Sequence, residues 1–163
     1  MPALKYFNTD TQTWQLLAVG EQGPAGAAGA AGPQGPAGLN GNVVSGIGAA
    51  FTALSGTITP GFKSYVQVPY ACVINSATLL SMDGTTGSIV VDIWKDTYAN
   101  FPPTIADTIT ASAKPTIVAG VKSTDAILTG WTTTISEGDV LGFNVDSVSG
   151  FSSVLLTLKV TKT

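Results

Sequence analysis

Apolar and polar residues alternate along most of the chain in short runs, and turn-forming residues rich in glycine, proline and aspartate separate them. The clearest run covers residues 88–95, where Ile89, Val91 and Ile93 share one face of a strand. Further strands are predicted at residues 64–68, 77–82, 108–113, 126–129, 140–145 and 154–160. Short strands without helical periodicity predict a mostly β protein, in which residues 59–163 form a jelly-roll-like β-sandwich head.

The first part of the chain, residues 1–19, is predicted to form a separate β-hairpin. In the segment KYFNTDTQTWQLL, two short strands flank a polar turn at residues 8–13, and Tyr6, Phe7 and Trp14 are its apolar anchors. A lone hairpin is marginally stable in water, so we expect it to dock on something. It is either a small cap for the segment that follows or an anchor that inserts into a larger assembly.

A second pattern is the glycine at every third position of residues 20–41. These glycines are Gly20, Gly23, Gly26, Gly29, Gly32, Gly35, Gly38 and Gly41. In a collagen triple helix three polyproline-like chains wind together, and only glycine fits at their crowded axis. A flexible linker is the alternative, but a linker has no reason to keep so strict a period. The pattern therefore favours a triple-helical rod with these glycines on its axis.

The triplets themselves are weak, which indicates that other parts of the chain help to hold the rod together. Pro24, Pro33 and Pro36 all follow glycine directly, so no proline occupies the Y position that stabilises collagen. Glu21 is the only charged residue of the segment. We therefore expect an obligate homotrimer in which flanking domains bring three chains together.

Residues 42–58 are predicted to connect the rod to the head. Val43, Ile47 and Phe51 recur at a spacing of four, which suits a short helix or a three-stranded neck beneath the head. A linker that packs on the head is the equally good alternative.

Composition excludes several classes of function. The chain has seven lysines and no arginine against ten acidic residues, a net charge of −3, so a phosphate-binding surface for nucleic acid is not expected. No apolar run is long enough to insert into a membrane. The absence of histidine removes the commonest catalytic triads and zinc sites. We expect no enzyme activity, no catalytic residues, no metal and no cofactor.

One stretch and one isolated tryptophan have the composition of a carbohydrate-binding site. Sugar recognition combines an aromatic face for the apolar side of the ring with carboxylate or amide groups for the hydroxyls. The residues with these properties are Asp92, Trp94, Asp96, Tyr98, Asn100 and Trp131. The alternative is structural, because aromatic residues at strand ends commonly pack in the core or at a subunit interface.

The chain as a whole resembles a known family of proteins. The segments that carry the resemblance are KYFNTDTQTW, the Gly-X-Y repeat, DIWKDTYANFPPT, TGWTT, GDVLGFNVDS and LTLKVTK. They are similar to the collagen-repeat fibre and minor tail proteins of tailed bacteriophages. The resemblance implies a homotrimeric virion protein that another virion protein holds by its N-terminus, with the head facing outward.

The resemblance leaves the functional role open between three alternatives. The favoured one is a virion fibre, on tail or capsid, whose head adheres to carbohydrate on the host surface. The second is a capsid decoration fibre with a mainly structural role. The third is a filament protein of a bacterial surface or spore coat.

Overall fold

The computed structural model describes residues 3–17, 23–32 and 43–163. The chain divides into two compact units, residues 1–39 and residues 40–163.

The N-terminal unit contains the predicted hairpin. Strand β1 (Lys5–Asn8) pairs antiparallel with β2 (Thr13–Leu16), and the turn between them begins at Asn8. The Asn8 side-chain carbonyl accepts hydrogen bonds from the backbone N–H groups of Asp10 and Thr11, at 3.0 and 3.3 Å. This side chain mimics a backbone turn, which explains why the polar run reverses the chain.

The described part of the glycine repeat, residues 23–32, is exposed throughout and has neither helix nor strand. The other proposed axis residues, Gly20, Gly35 and Gly38, and also Gly41, lie outside the described residues. A single chain contains no triple helix, so the collagen rod and the trimer stay predictions.

The second unit is a β-sandwich of two antiparallel sheets. Its strands are β3 (Val44–Thr52), β4 (Lys63–Gln67), β5 (Cys72–Ser81), β6 (Gly87–Asp96), β7 (Thr116–Gly120), β8 (Lys122–Asp125), β9 (Thr134–Ile135), β10 (Val140–Ser149) and β11 (Ser153–Lys162). One sheet has the order β4-β10-β6-β7. The other has the order β3-β11-β5-β8, with the short β9 also paired to β5. The eight longer strands of this unit are thus divided between two facing sheets in jelly-roll order, and the prediction of a β-sandwich is confirmed.

The core lies between the two sheets and follows the predicted alternation. Ile89, Val91 and Ile93 of β6 are all buried, as expected for the inward face of that strand. From the other strands and loops, Phe51, Phe143 and Phe151 contribute the largest fully buried side chains. The sandwich therefore has the continuous apolar core that a domain of this length needs.

The short helix considered for residues 42–58 is wrong, and a three-stranded neck stays a prediction because it requires three chains. Residues 44–52 form β3, which pairs with β11 along its whole length, from Thr52↔Ser153 to Val44↔Thr161. Ile47, Ala49 and Phe51 all face the core. A spacing of four is also an even spacing, so the inward side of a strand produces the same pattern as the helix that we predicted. The small residues on the outward side concealed the alternation.

Two of the predicted strands are also wrong. Residues 108–113 form a loop with a single isolated bridge, Trp94↔Thr108, and residues 126–129 form a turn region. Their apolar residues Ile109 and Leu128 are buried because both loops close over the core. The neighbouring segments TIVAG and KSTD form the strands β7 and β8 instead, and both lie at sheet edges, where even the polar segment of β8 is tolerated.

Asp83, in the loop between β5 and β6, ties that loop to the turn between β10 and β11. Its carboxylate accepts hydrogen bonds from the hydroxyls of Ser81 and Thr85, and from the backbone N–H and hydroxyl of Ser152 at 2.8 and 2.6 Å. These donors, Ser152 foremost, hold the pKa of Asp83 well below its ordinary value. The contact therefore favours folding above about pH 4 and weakens as the pH falls through the lower, folded-state pKa.

The membership of β3 in the head can be tested with two neighbouring substitutions. Phe51→Ala should destabilise the head by about 3–5 kcal/mol, because it leaves a cavity in a fully buried position. Leu54→Ala, at a fully exposed position, should change stability by less than about 0.5 kcal/mol. Urea denaturation followed by tryptophan fluorescence, at one fixed protein concentration, measures both. A small effect of Phe51→Ala would show that residues 44–52 pack outside the core.

Candidate functional site

The loop of residues 97–115, between β6 and β7, covers the outer face of the four-stranded sheet. Gly142 marks the contact, since a Cβ atom on this glycine would lie 3.1 Å from Pro103 and 3.2 Å from the ring of Tyr65. Beside it, the rings of Tyr65 and Phe101 meet edge to face with their centroids 5.1 Å apart. The absence of a side chain at Gly142 lets the loop pack closely on the sheet.

Beneath this loop lies the buried carboxylate of Asp92, one of the predicted site residues. Its Oδ1 atom accepts hydrogen bonds from the hydroxyls of Thr108 and Thr110, at 2.6 and 2.7 Å. Its Oδ2 atom lies 2.9 Å from the Lys114 ammonium, which also contacts Asp146 at 2.7 Å. All three donors belong to the covering loop, so the charge of Asp92 holds the loop against β6.

The electrostatics of Asp92 reflect a balance between burial and these donors. Burial by itself raises the pKa of Asp92, but the hydrogen bonds from Thr108, Lys114 and Thr110 outweigh it and hold the pKa below its ordinary value. The pKa of Lys114 is raised, chiefly by its hydrogen bond to Asp146. Asp92 and Lys114 therefore form an ion pair rather than a neutral pair at physiological pH.

This geometry removes two residues from the predicted carbohydrate site. Asp92 is fully buried, and only 6% of Trp94 is exposed. Both lie on the face of β6 opposite Ile89, Val91 and Ile93, but the loop that follows the strand covers that face. Neither side chain can reach a sugar at the surface.

Trp131 is also engaged internally. It packs partly buried against the core, and its indole N–H donates a hydrogen bond to the carbonyl of Ala113 at 2.8 Å. The neighbouring backbone N–H of Thr132 donates to the carbonyl of Ile109. Trp131 thus joins two loops of the head, in agreement with the structural alternative.

The three remaining candidates lie together on the exposed part of the loop. Asp96 ends β6 and accepts hydrogen bonds from the backbone N–H of Thr97 at 2.7 Å and from the side-chain amide of Asn100 at 3.0 Å. Between them, Tyr98 is 70% exposed. We call Asp96, Tyr98, Asn100 and Phe101 the loop cluster. It presents a carboxylate, an amide and two aromatic rings to solvent, which are groups that can contact sugar hydroxyls and the apolar side of a sugar ring.

Tyr65 supports this cluster through Phe101, and sequence reasoning missed it. It lies on β4, distant in sequence from the loop, and is brought near because β4 and β6 flank β10 in one sheet. No local pattern could have identified that neighbour.

The hairpin exposes the aromatic residues that the sequence singled out as anchors. Tyr6 is 44%, Phe7 43% and Trp14 67% exposed, although the rings of Phe7 and Trp14 contact each other with centroids 5.4 Å apart. A two-stranded sheet has no opposing layer, so these rings remain available to a partner.

Two kinds of feature are absent from the described residues. Within residues 3–17, 23–32 and 43–163, no helix is long and apolar enough to cross a membrane. The same residues contain no group of three or more acidic or cysteine side chains arranged to hold a metal ion.

Comparison with known proteins gives little further information. No protein-family model matches the chain, and no curated protein matches it. Among solved structures, the cyanophage Pam1 capsid asymmetric unit contains a chain that aligns over its whole length with 89% of this one, at 20% identity. The TM-score of that alignment is 0.29, which is too low to carry an argument about fold or function.

The structural role of Asp92 predicts how substitutions at two acidic residues differ. Asp92→Ala should cost on the order of 3 kcal/mol of unfolding free energy at neutral pH, because it breaks a buried charge pair and leaves buried donors unpaired. Asp96→Ala, in the exposed loop cluster, should cost no more than about 1 kcal/mol. Denaturant unfolding of both variants measures the difference, and equal costs would contradict the assignment.

The difference in unfolding free energy between the wild-type protein and Asp92→Ala should also depend on pH. The folded-state pKa of Asp92 is lowered, so its contribution is present above about pH 4 and is lost as the pH falls further. The stability difference between the wild-type protein and Asp92→Ala should therefore shrink in acid.

Proposed function

We propose that this protein is a homotrimeric fibre protein of a bacteriophage virion, in which a collagen-like rod connects a particle-binding hairpin to an outward-facing jelly-roll head. The observation that carries the proposal is the unbroken glycine period, which has no explanation within one chain.

The steric argument compares glycines in the two units. At Gly23, Gly26, Gly29 and Gly32, an added Cβ atom would meet nothing within 4 Å, and none of these residues has the positive φ that favours glycine. A single chain would therefore tolerate alanine at each position. Three chains around a common axis would not, because their backbones leave no space for a side chain.

The hairpin is the part that we assign to attachment. Its two four-residue strands leave Tyr6, Phe7 and Trp14 partly in water, which costs free energy at about 25 cal/mol per Å² of apolar surface. Docking on another virion protein would remove that surface from water. The head buries its own apolar residues and has no comparable need of a partner to stay folded.

The location on a virion is supported by the resemblance of the whole chain, including DIWKDTYANFPPT and GDVLGFNVDS, to phage fibre and minor tail proteins. A bacterial surface or spore filament could share the glycine repeat but is not suggested by those segments of the head.

We further propose that the head adheres to carbohydrate on the host surface through the loop cluster. The observation that favours this function over simple decoration is the exposed Tyr98 between Asp96 and Asn100. Asp92, Trp94 and Trp131 have no part in the revised site. Three identical heads on one rod would give avidity to a weak sugar contact.

The rod can be tested with valine substitutions at two adjacent positions of the repeat. Gly29→Val should abolish most of the collagen signal in circular dichroism, because three valine side chains cannot fit at the axis. Ala28→Val alters the neighbouring position, which faces away from the axis, and should retain most of that signal. Sedimentation equilibrium of the unmodified protein should give three times the chain mass. A monomer, or equal effects of both valines, would contradict the rod.

Attachment and adhesion can be separated in one particle assay. Deletion of residues 1–17 should abolish incorporation into virions while the head still folds. Tyr98→Ala should leave incorporation unchanged but weaken binding of the particles to host cells several-fold, because it removes the most exposed aromatic ring of the loop cluster. Each variant is the control for the other.

Two outcomes of this assay would revise the proposal. Normal incorporation of the truncated protein would contradict attachment through the hairpin. Unchanged adhesion of particles with Tyr98→Ala would favour the capsid decoration role.

A further inference from the structure

The edges of the two sheets differ in how they are protected from further strand pairing. Three of the four terminal strands, β4, β7 and β8, are only five, five and four residues long. Lys63 lies on β4, and Lys122 and Asp125 lie on β8. β7 is interrupted by a register shift, and Ala119 on it has a positive φ of 42°. Short length, charge and irregularity are the devices by which edge strands avoid association.

The fourth edge, β3, has none of these devices. It is nine residues long, carries no charge and no proline, and pairs with β11 without a register shift. In the described part of the chain β11 is its only strand partner. A long, regular and uncharged edge strand is a site where another chain is expected to bind.

The outward face beside the second half of this edge is also uncharged, whereas Lys159 of β11 stands in register with Gly46 nearer its start. The outward residues of β3 are Val44, Gly46, Gly48, Ala50 and Thr52. Ala50 stands in register with Leu155 of β11, which in turn stands in register with the 39% exposed Leu80 of β5. Val44 at the start of the strand is 57% exposed. Covering the row of Ala50, Leu155 and Leu80 would remove it from water without burying a charge, because the Lys159 side chain lies four residues further along β11.

The short connection between the glycine repeat and β3 indicates what covers the apolar row beside this strand. Only Asn42 and Val43 separate the last repeat glycine, Gly41, from the first residue of β3. Three peptide steps span at most about 11 Å, so a triple helix ending at Gly41 would deliver the three β3 strands close to its axis. The unprotected edges would then meet copies of themselves.

We propose that β3 and the outward face beside it form the contact between three copies of the head, around the axis of the collagen-like segment. The inference rests on the proposed trimer and adds where the heads touch. The far corner of the sandwich, at β7, would face away from the axis.

Spin-label distances in the full-length protein test this placement. Labels are attached to Ala50→Cys on β3 and, in a matched control, to Val118→Cys on β7, whose native side chain is 79% exposed. The natural Cys72 is fully buried, so the unsubstituted protein serves as the unlabelled control. Ala50 lies six residues beyond Val44, about 20 Å along the strand, so a short distance there cannot come from the rod alone.

The expected result is a short distance between labels at position 50 and a much longer one at position 118. Three strand spacings of about 4.8 Å separate β3 from β7 across the sandwich, so position 118 would lie about 14 Å further from the threefold axis than position 50. In a threefold arrangement the distance between two equivalent positions is √3 times their distance from the axis. The label-to-label distances at the two positions should therefore differ by at least about 20 Å. Ala50→Glu should also lower the melting temperature of the trimer, while Val118→Glu should leave it unchanged.

The outcomes distinguish this inference from the trimer itself. A mass of three chains with position 118 closer than position 50, or with equal distances, would overturn the β3 contact and leave the trimer intact. A monomeric mass with no coupling between labels at either position would overturn the trimer, and the contact with it.

Discussion

The carboxylate of Asp92 is the constraint on which the outer half of the head depends. A charge that is fully buried must be paired and hydrogen-bonded, and β6 itself offers only the backbone N–H of Ile93, at 2.9 Å from Oδ1. Thr108, Thr110 and Lys114 supply the donors, and all three lie on the loop that follows the strand. The loop must therefore cross back over the sheet, and in doing so it buries Trp94 and raises Tyr98 into solvent. One buried charge thus positions the exposed loop cluster to which we assign carbohydrate binding.

The outer faces of the two sheets therefore differ in how much of them the chain itself covers. The four-stranded sheet is covered by its own loop, with Pro103 packed on Gly142. Within the part of the chain that the structure describes, the outward residues of β3 in the five-stranded sheet are small, uncharged and exposed. A face that the chain covers itself is suited to carry a solvent-facing site, whereas an uncovered edge is suited to contact another copy. Adhesion and assembly would then occupy opposite sides of one small domain.

Glycine serves three separate purposes in this chain, and only structure distinguishes them. Gly142 lets a loop approach a sheet, and a side chain at Gly87 would collide with the carbonyl of Ser149. Gly84 and Gly138 adopt the positive φ that their turns require. The repeat glycines that are described, such as Gly26 and Gly29, meet neither condition, so the reason for them must lie outside the single chain.

The alternation of apolar and polar residues was sufficient to predict the features that depend only on residues close together in the sequence. The hairpin, the inward face of β6 and the β-sandwich class all follow from alternation and turn chemistry, because a strand has period two wherever it lies. Burial by distant segments could not be predicted in this way. In residues 42–58 the spacing of four fits the period of a helix as well as that of a strand, and only pairing with β11 decides between them. Alternation puts Asp92 and Trp94 opposite the inward face of β6, but whether their face meets solvent depends on a loop whose path is set by a buried ion pair. Burial is a property of the folded whole, so the residues at the surface were known only once the two sheets and their connecting loop had been placed together.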